Sequence, residues 1–309
     1  MHAPINRTMT PTEWGLILAL GLLWGGSYFY NAVALTALHP LTIVAIRVAV
    51  GGALLYLVVR ATGGRMPRDL DTWRGFFMMG LVNNVIPFSL IAWAQSHVAS
   101  GAAAILNATT PLFAVLVAHY LTHDEKMSPL RVGGVIIGFG GVVIMIGPDA
   151  LAGATTDVLA DLALLLASVF YAYSGVYGRR FSRAGLRPLV TATGQISAST
   201  VMMVPIALIV DQSWTIALPG AGVWGALFGL AAISTTLAYV MYYRILATAG
   251  AVNLLLVTFL VPVSAILLGA VFLGERLSAN HYLGMAAIAL GLAAIDGRVF
   301  RPMRRASAG

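Results

Sequence analysis

The amino-acid sequence contains no cysteine and few charged residues. None of its 309 residues is cysteine, and only 9% are Asp, Glu, Lys or Arg. Without cysteine there is no disulfide, no thiolate metal site and no cysteine nucleophile. A soluble domain carries about 25% charged residues, so this chain could not cover a folded surface with polar groups. With 59% hydrophobic residues, the composition predicts an integral membrane protein.

Most of the few charges are positive, giving a formal net charge of +7. Such an excess suits a nucleic-acid-binding protein, but here the basic residues lie in short loops and in the C-terminal tail. Basic residues in these places are topology signals, so we expect no nucleic-acid partner. Residues 1–12 contain Arg7 but no apolar core, and we therefore expect no cleavable signal peptide.

Ten apolar segments are long enough, or nearly so, to cross a bilayer as helices. A crossing helix needs about 20 mostly apolar residues. The segments lack the period-two alternation of membrane strands. They cover residues 13–35, 41–60, 73–96, 98–121, 129–147, 158–179, 187–210, 221–244, 250–273 and 280–296. We therefore expect an all-α integral membrane protein with ten transmembrane helices and no soluble domain.

Lys and Arg are distributed unevenly between the two ends of these segments. With the N-terminus placed in the cytoplasm, all of them except Arg47 and Arg276 fall on the cytoplasmic side. Because cytoplasmic loops are enriched in Lys and Arg, this bias predicts that both termini are cytoplasmic. The expected location is the inner (cytoplasmic) membrane, which the chain crosses many times.

The two halves of the chain resemble each other at a separation of about 150 residues. The motif EKMS at 125–128 corresponds to ERLS at 275–278, and Pro111 corresponds to Pro262 to within one position. Five segments in each half mean that the second half crosses the membrane upside down, as an inverted-topology repeat. The expected organisation is a short cytoplasmic N-terminus (1–12), a first five-helix repeat (13–147), a second inverted five-helix repeat (158–296) and a basic cytoplasmic tail (297–309).

The stretch from 232 to 295, with its Pro…Gly-Glu block and glycine-rich last helix, resembles the second repeat of the EamA family. This family belongs to the drug/metabolite transporter superfamily. The first-half version covers 92–145, where Asp124–Glu125 replaces Gly-Glu. The resemblance implies a ten-helix transporter of two inverted repeats, often an exporter of amino acids or other metabolites. Bacterial amino-acid exporters are the best fit, although the substrate does not follow from the resemblance.

Polar and aromatic residues recur near mid-depth in segments that the repeat relates to one another. Inverted-repeat transporters hold their substrate at this depth, between the repeats. The residues expected to bind substrate are Trp24, Ser27, Asn84, Trp93, Asn107, Tyr171, Ser174, Thr235, Tyr239 and Thr258. The alternative is structural: polar groups can hydrogen-bond neighbouring helices, and aromatic rings can pack between helices or at the membrane interface.

The stretch GLVNNVIPF (80–88) places two amides in the middle of an apolar segment. Adjacent residues lie about 100° apart on an α-helix, so both cannot face one cavity. We expect Asn84 to face the cavity, because its face continues through Phe88 and Ile91. Asn83 then faces a neighbouring helix.

The ionisable residues indicate the charge of the solute. No Asp or Glu lies at mid-depth, so the site suits an uncharged or zwitterionic solute. Arg47 lies within the second segment. We favour a side chain that snorkels outward. Otherwise, Arg47 contacts a substrate carboxylate or a helix end.

The predicted function is a secondary transporter that exports small metabolites across the membrane by alternating access. The expected substrates are amino acids, either neutral or aromatic. The alternatives are a drug or other-metabolite exporter of the same fold and, with less support, a channel-like pore or an intramembrane enzyme. No HExxH, GxSxG or Walker motif occurs, so we expect no enzymatic activity, cofactor or metal. The expected partners are a small solute and the lipid bilayer. The sequence does not determine the oligomeric state and is compatible with a monomer.

Overall fold

The computed structural model describes residues 9–122, 127–147, 156–215, 217–254 and 256–296. Every regular element within these ranges is helical. The expected basic tail, most of the expected N-terminal segment and the Asp124–Glu125 variation lie outside the described residues.

The helices follow one another through short connections. The first half contains α1 (Pro11–Leu35), α2 (Pro40–Ala61), α3 (Leu70–Gly80), α4 (Ile86–Ala94), α5 (Ser100–Asn107), α6 (Thr110–Leu121) and α7 (Pro129–Ile146). The second half contains α8 (Thr156–Arg183), α9 (Pro188–Val210), α10 (Ala221–Phe228), α11 (Ala238–Thr248), α12 (Gly250–Leu254), α13 (Val257–Phe272) and α14 (Ala279–Asp296). A short 3₁₀ turn, Ser213–Thr215, follows α9.

The helices confirm an all-helical, multi-pass membrane architecture. Among the described residues, eight continuous helical stretches are long and apolar enough to cross a membrane. Two shorter apolar helices, Val257–Phe272 and Ala279–Ile295, complete the bundle. The count of ten spans and the side of the termini stay predictions.

Two of the spans contain a π-helical segment at positions related by the repeat. The segment Leu81–Val85 joins α3 to α4, and the segment Gly229–Leu237 joins α10 to α11. Pro87, which lacks a backbone N–H, lies two residues after the end of the first segment. In the second, the hydroxyls of Thr235 and Thr236 donate to carbonyls five residues earlier, at 2.8 and 3.0 Å. Such segments are rare and frequently lie at functional sites.

Contacts between the halves fix helix ends. The Oδ2 atom of Asp211, after α9, accepts from the backbone N–H and the hydroxyl of Thr42, at 2.7 and 2.8 Å. This carboxylate satisfies a free N–H in the first turn of α2, where the helix dipole also favours negative charge. The second half therefore stabilises the start of a helix in the first half.

Helices α7 and α14 pack closely through four glycines that are equivalent in pairs. A Cβ atom on Gly141 would lie 2.7 Å from the carbonyl oxygen of Gly284. A Cβ atom on Gly134 would lie 2.6 Å from the carbonyl oxygen of Gly291. Small residues at these four positions let the two backbones approach each other, which is how membrane helices associate without a hydrophobic driving force.

We expect Gly141→Ala to destabilise the protein by about 1–3 kcal/mol, because the new methyl group must push two backbones apart. Gly133→Ala is the matched control, since a Cβ atom there meets nothing within 4 Å. Thermal unfolding of both variants in detergent measures the difference. Equal stability of the two variants would contradict the proposed packing role.

Candidate functional site

A buried polar cluster lies where the first π-helical segment meets α8, α9 and α11. Asn84 is fully enclosed, with 0% of its surface exposed. Its Nδ2 atom donates to the hydroxyl of Ser199 on α9 at 3.1 Å. That hydroxyl in turn donates to the backbone carbonyl of Gln195 at 2.7 Å. Asn84 therefore joins the two halves of the chain through a series of buried hydrogen bonds.

Asn83 is the half-buried amide of the pair and contacts three helices of the second half. Its Oδ1 atom accepts from Ser174 on α8 at 2.8 Å. Its Nδ2 atom lies 3.4 Å from Gln195 Oε1 on α9 and 3.3 Å from the hydroxyl of Tyr239 on α11. Asn83 is thus the point at which the polar groups of the cluster meet.

The structure separates the two asparagines as expected but exchanges their surroundings. The predicted faces assume the spacing of an α-helix, which does not hold here because both residues lie in a π-helical segment. As a result Asn84 contacts α9 and Asn83 is partly open. A substrate contact by Asn84 stays a prediction.

Arg47 points into the protein, so the prediction that it snorkels outward is wrong. Only 7% of its surface is exposed. Its Nε atom donates to the hydroxyl of Thr235 at 3.0 Å, and its guanidinium carbon lies 3.7 Å from the centroid of the Phe88 ring. These two partners hold the cation inside the bundle by a hydrogen bond and a cation–π interaction.

Three tyrosines surround the buried arginine. Tyr28, Tyr171 and Tyr239 all lie close enough to interact electrostatically with Arg47. Tyr28 is 4% exposed, and its hydroxyl accepts from Asn107 Nδ2 at 2.8 Å. Tyr171 packs between two hydrophobic clusters of the bundle, one of which also contacts Tyr239. Aromatic side chains therefore make up much of this region, and the hydroxyls of Tyr28 and Tyr239 contact amide side chains there.

Asn107 lies at the break between α5 and α6. Pro111 cannot donate a hydrogen bond to the Asn107 carbonyl, which instead accepts from the hydroxyl of Thr110 at 2.7 Å. The Asn107 side chain is fixed by Tyr28 and by Ser168, whose hydroxyl donates to Oδ1 at 3.2 Å.

The structure brings half of the predicted site residues together. Those around Asn83 and Arg47 are Asn84, Tyr171, Ser174, Thr235 and Tyr239, with Asn107 bound to the neighbouring Tyr28.

Two predicted residues of α1 lie apart from this cluster. The ring of Trp24 packs on Tyr242, with centroids 5.6 Å apart. The hydroxyl of Ser27 donates to the carbonyl of Trp24, in its own helix, at 2.6 Å. A role of either residue in substrate binding stays a prediction.

Trp93 and Thr258 also lie elsewhere. Trp93 is 37% exposed, and its ring packs on His97, near the end of α4. Thr258 lines a void of about 30 Å³ together with Pro262 and Ile105. Neither contacts the polar cluster in this conformation.

Sequence reasoning missed Asn83, Gln195, Ser199 and Tyr28. Gln195 and Ser199 are spaced four residues apart within the apolar helix α9, which places them on one face. Both lie near the middle of that span, and this position in the sequence is the signal that identifies them.

A carboxylate closes the bundle at the end where α1 stops and α5 starts. Glu275, from the ERLS motif, accepts from the backbone N–H groups of Ser100 and Gly101 at 2.9 and 3.3 Å. Beside it, Gln95 accepts from Asn31 at 3.1 Å. Because a carboxylate is favoured at a helix N-terminus, the motif of the second half locks a turn of the first.

The opposite half of the bundle contains an open apolar cleft of about 500 Å³. It lies between α3, α6 and α8 and is lined by Met78, Val82, Leu116, Val117, Tyr120, Leu121, Val169, Phe170 and Tyr173. Val82 and Tyr173 are sequence neighbours of Asn83 and Ser174. The cleft is an apolar groove on the outside of the bundle, where Tyr120 is 79% and Leu121 55% exposed.

A multi-pass helical bundle that encloses a polar site between two similar halves defines a membrane transporter. The chain belongs to the EamA-like transporter family, whose family model matches residues 13–147 and again residues 158–295. The resemblance noted in the sequence is therefore confirmed.

Several curated relatives cover most of the chain. The uncharacterized transporter YoaV of Bacillus subtilis is 23% identical over 89% of this chain and 94% of its own length. The uncharacterized inner membrane transporter YedA of Escherichia coli is 25% identical over 89% and 87%. Protein PecM of Dickeya dadantii is 27% identical over 86% of each.

One solved crystal structure superposes with a TM-score of 0.67 at 21% identity. The match covers 92% of this chain and 97% of the other. A likeness at this identity supports the fold alone.

The different surroundings of the two asparagines predict different effects on stability. Asn84→Ala should lower the free energy of unfolding by about 1–3 kcal/mol, because it leaves enclosed polar partners unsatisfied. Asn83→Ala should have a smaller effect, since water can reach this position. Asn280→Ala, on an exposed residue, is the control. Thermal unfolding in detergent ranks the variants, and an equal or larger loss for Asn83→Ala would contradict the assignment.

Proposed function

We propose that this transporter is a secondary exporter of small metabolites, specifically of neutral or aromatic amino acids, across the cytoplasmic membrane. The observation that carries the proposal is the polar cluster around Asn83, which both halves build between them. An inverted-repeat transporter holds its substrate at such a position.

The proposed topology has ten spans in two inverted repeats of five, with both termini in the cytoplasm. The two copies of the family model support the repeat. Eight long apolar helices and two shorter ones support five membrane helices in each half. The distribution of Lys and Arg supports the orientation. One relative, YedA, carries the name of an inner membrane transporter.

Alternating access is supported by the difference between the two ends of the bundle. In the proposed topology Glu275 ties helices together at the outer end, and the apolar groove beside Val82 lies toward the cytoplasmic end. An exporter loads its substrate from this side. The π-helical segments in both halves mark the places where helix register is least regular, which suits a change between two conformations.

The chemistry of the site supports an uncharged or zwitterionic solute. Among the described residues, the hydrogen bonds of the polar cluster involve amide and hydroxyl groups and no Asp or Glu. A mid-depth carboxylate is what a cationic substrate would need. The tyrosines near Arg47 provide aromatic surface for an apolar or aromatic side chain.

The proposed inverted topology can be tested directly, because the chain lacks cysteine. Ser128→Cys and Ser278→Cys place single thiols at equivalent, exposed positions of the two repeats. We expect a membrane-impermeant maleimide to label position 278 in intact cells and position 128 only after permeabilisation. Labelling of both positions from the same side would overturn the inverted repeat.

Counterflow in proteoliposomes tests the substrate. Purified protein should exchange labelled neutral and aromatic amino acids saturably, and cationic and anionic ones poorly. Asn83→Ala should raise the half-saturating concentration about 2- to 10-fold, the effect of losing one neutral hydrogen bond. Asn280→Ala, outside the cluster, should leave it unchanged.

Two results would contradict the proposal. Exchange that does not saturate would indicate a pore rather than a binding site. Saturable exchange of another metabolite, with no amino acid competing, would reject the substrate class.

A further inference from the structure

Arg47 is a buried cation without an acidic partner in the described part of the chain. It is 7% exposed, and no Asp or Glu there forms an ion pair with it. Its neighbours are the neutral side chains of Thr235, Phe88 and three tyrosines. An unpaired charge in an apolar interior is costly, so the site is incomplete in electrostatic terms.

The outer nitrogens of the guanidinium make no hydrogen bond to a described residue and are not fully enclosed. Arginine carries five N–H donors, and only Nε of Arg47 donates, to Thr235. No fully enclosed side-chain nitrogen or oxygen in the described residues lacks a hydrogen-bond partner. Since Nη1 and Nη2 make no hydrogen bond there, they are not fully enclosed. Their four N–H groups form the fork that binds a carboxylate through two parallel hydrogen bonds.

The protein holds this fork in one orientation. The hydroxyl of Thr235 donates to the Leu230 carbonyl at 2.8 Å, so its lone pairs are directed at Arg47 Nε. The centroid of the Phe88 ring lies 3.7 Å from the guanidinium carbon, so the ring restricts where the guanidinium can move. A receptor fixed before the ligand arrives loses less entropy on binding.

Two tyrosine hydroxyls in this part of the bundle have protons to donate, and Tyr171 packs against the hydrophobic cluster that contains Phe88, the ring beside Arg47. The hydroxyl of Tyr28 accepts from Asn107, which leaves its own proton without an acceptor among the described residues. The hydroxyl of Tyr171 makes no hydrogen bond to a described residue and is therefore also not fully enclosed. Donors of this kind complete the coordination of an anion.

We propose that Arg47 is the receptor for an anionic group of the substrate, which it binds through Nη1 and Nη2, with Tyr171 as a further donor from the cluster that contains Phe88. The identification of that group as a carboxylate rests on the proposed amino-acid function. Tyr239 lies close to both Arg47 and Asn83, so the remainder of the solute extends from the arginine toward the polar cluster.

A purely structural arginine would behave differently. In that role Arg47 would only connect α2 to the second π-helical segment through Thr235. Its removal would then weaken the binding of all ligands alike, with or without a carboxylate.

The test compares each amino acid, and small monocarboxylates as a second set, with their primary amides. Half-saturating concentrations are measured by counterflow and by ligand-induced thermal shift of the full-length protein. The wild type should prefer the acid over its amide about 10- to 100-fold, the value of a charge-assisted pair. Arg47→Gln should reduce this preference to less than about 3-fold, by weakening the acid and not the amide.

The controls separate binding from folding. Unchanged amide binding by Arg47→Gln shows that the variant is folded. Arg47→Lys keeps the charge but not the fork and should retain part of the preference. Arg60→Gln, an exposed arginine on the same helix, should match the wild type. If Arg47→Gln does not fold, the acid-over-amide preference is measured in Arg47→Lys instead. A preference as large as that of the wild type in Arg47→Lys would overturn the bidentate role.

The outcomes also distinguish this inference from the proposed function. Equal affinity for acids and amides in the wild type, or an equal loss of both in Arg47→Gln, would overturn the role of Arg47. If amino acids are transported without a preference for the acid over the amide, the proposed function stands and the role of Arg47 falls. If other carboxylates bind through Arg47 and amino acids do not, the receptor stands and the amino-acid function falls.

Discussion

The rest of the structure depends on one constraint, which is that the hydrocarbon interior offers no hydrogen-bond partner to a polar group. Every amide, hydroxyl and freed carbonyl inside the bundle must find its partner in the protein. In the described residues no fully enclosed side-chain nitrogen or oxygen is left without one. Polar side chains therefore gather where one satisfies another, as Asn84, Ser199 and Gln195 do across the two halves.

The same constraint explains why contacts between the halves lie at helix ends and at glycines. Apolar surfaces gain little by associating in lipid, so the halves are joined by close packing and hydrogen bonds. Asp211 satisfies the start of α2, and Glu275 satisfies the start of α5, each from the other half of the chain. Between α7 and α14, Gly141 and Gly284 bring backbones together. These contacts are local and specific, so a few residues fix the arrangement of long, chemically uniform helices.

Hydropathy and self-similarity predicted the helical class, most helix positions and the family, because these properties depend on composition along the chain. The orientation of single side chains depends on more. Asn84 lies in a π-helical segment, so the spacing of an α-helix did not predict the direction of its side chain. Arg47 lies near enough to a helix end to reach water, and only the tertiary positions of Thr235 and Phe88 explain why it turns inward. The depth of a residue in the membrane could be counted from the sequence. The direction of its side chain depended on partners from distant segments of the chain.

The repeat makes the framework symmetric, but the site within it is not. Equivalent π-helical segments carry an asparagine pair followed by Pro87 in the first half, and Ser234, Thr235 and Thr236 in the second. The first segment places an amide at the centre of the polar cluster, while the second orients the arginine. A small solute such as an amino acid has chemically different ends, so a binding site with identical halves would fit it poorly. In the proposed alternating-access mechanism symmetry serves the movement of the halves, and the unequal residues at the equivalent segments provide different groups for the two ends of the solute.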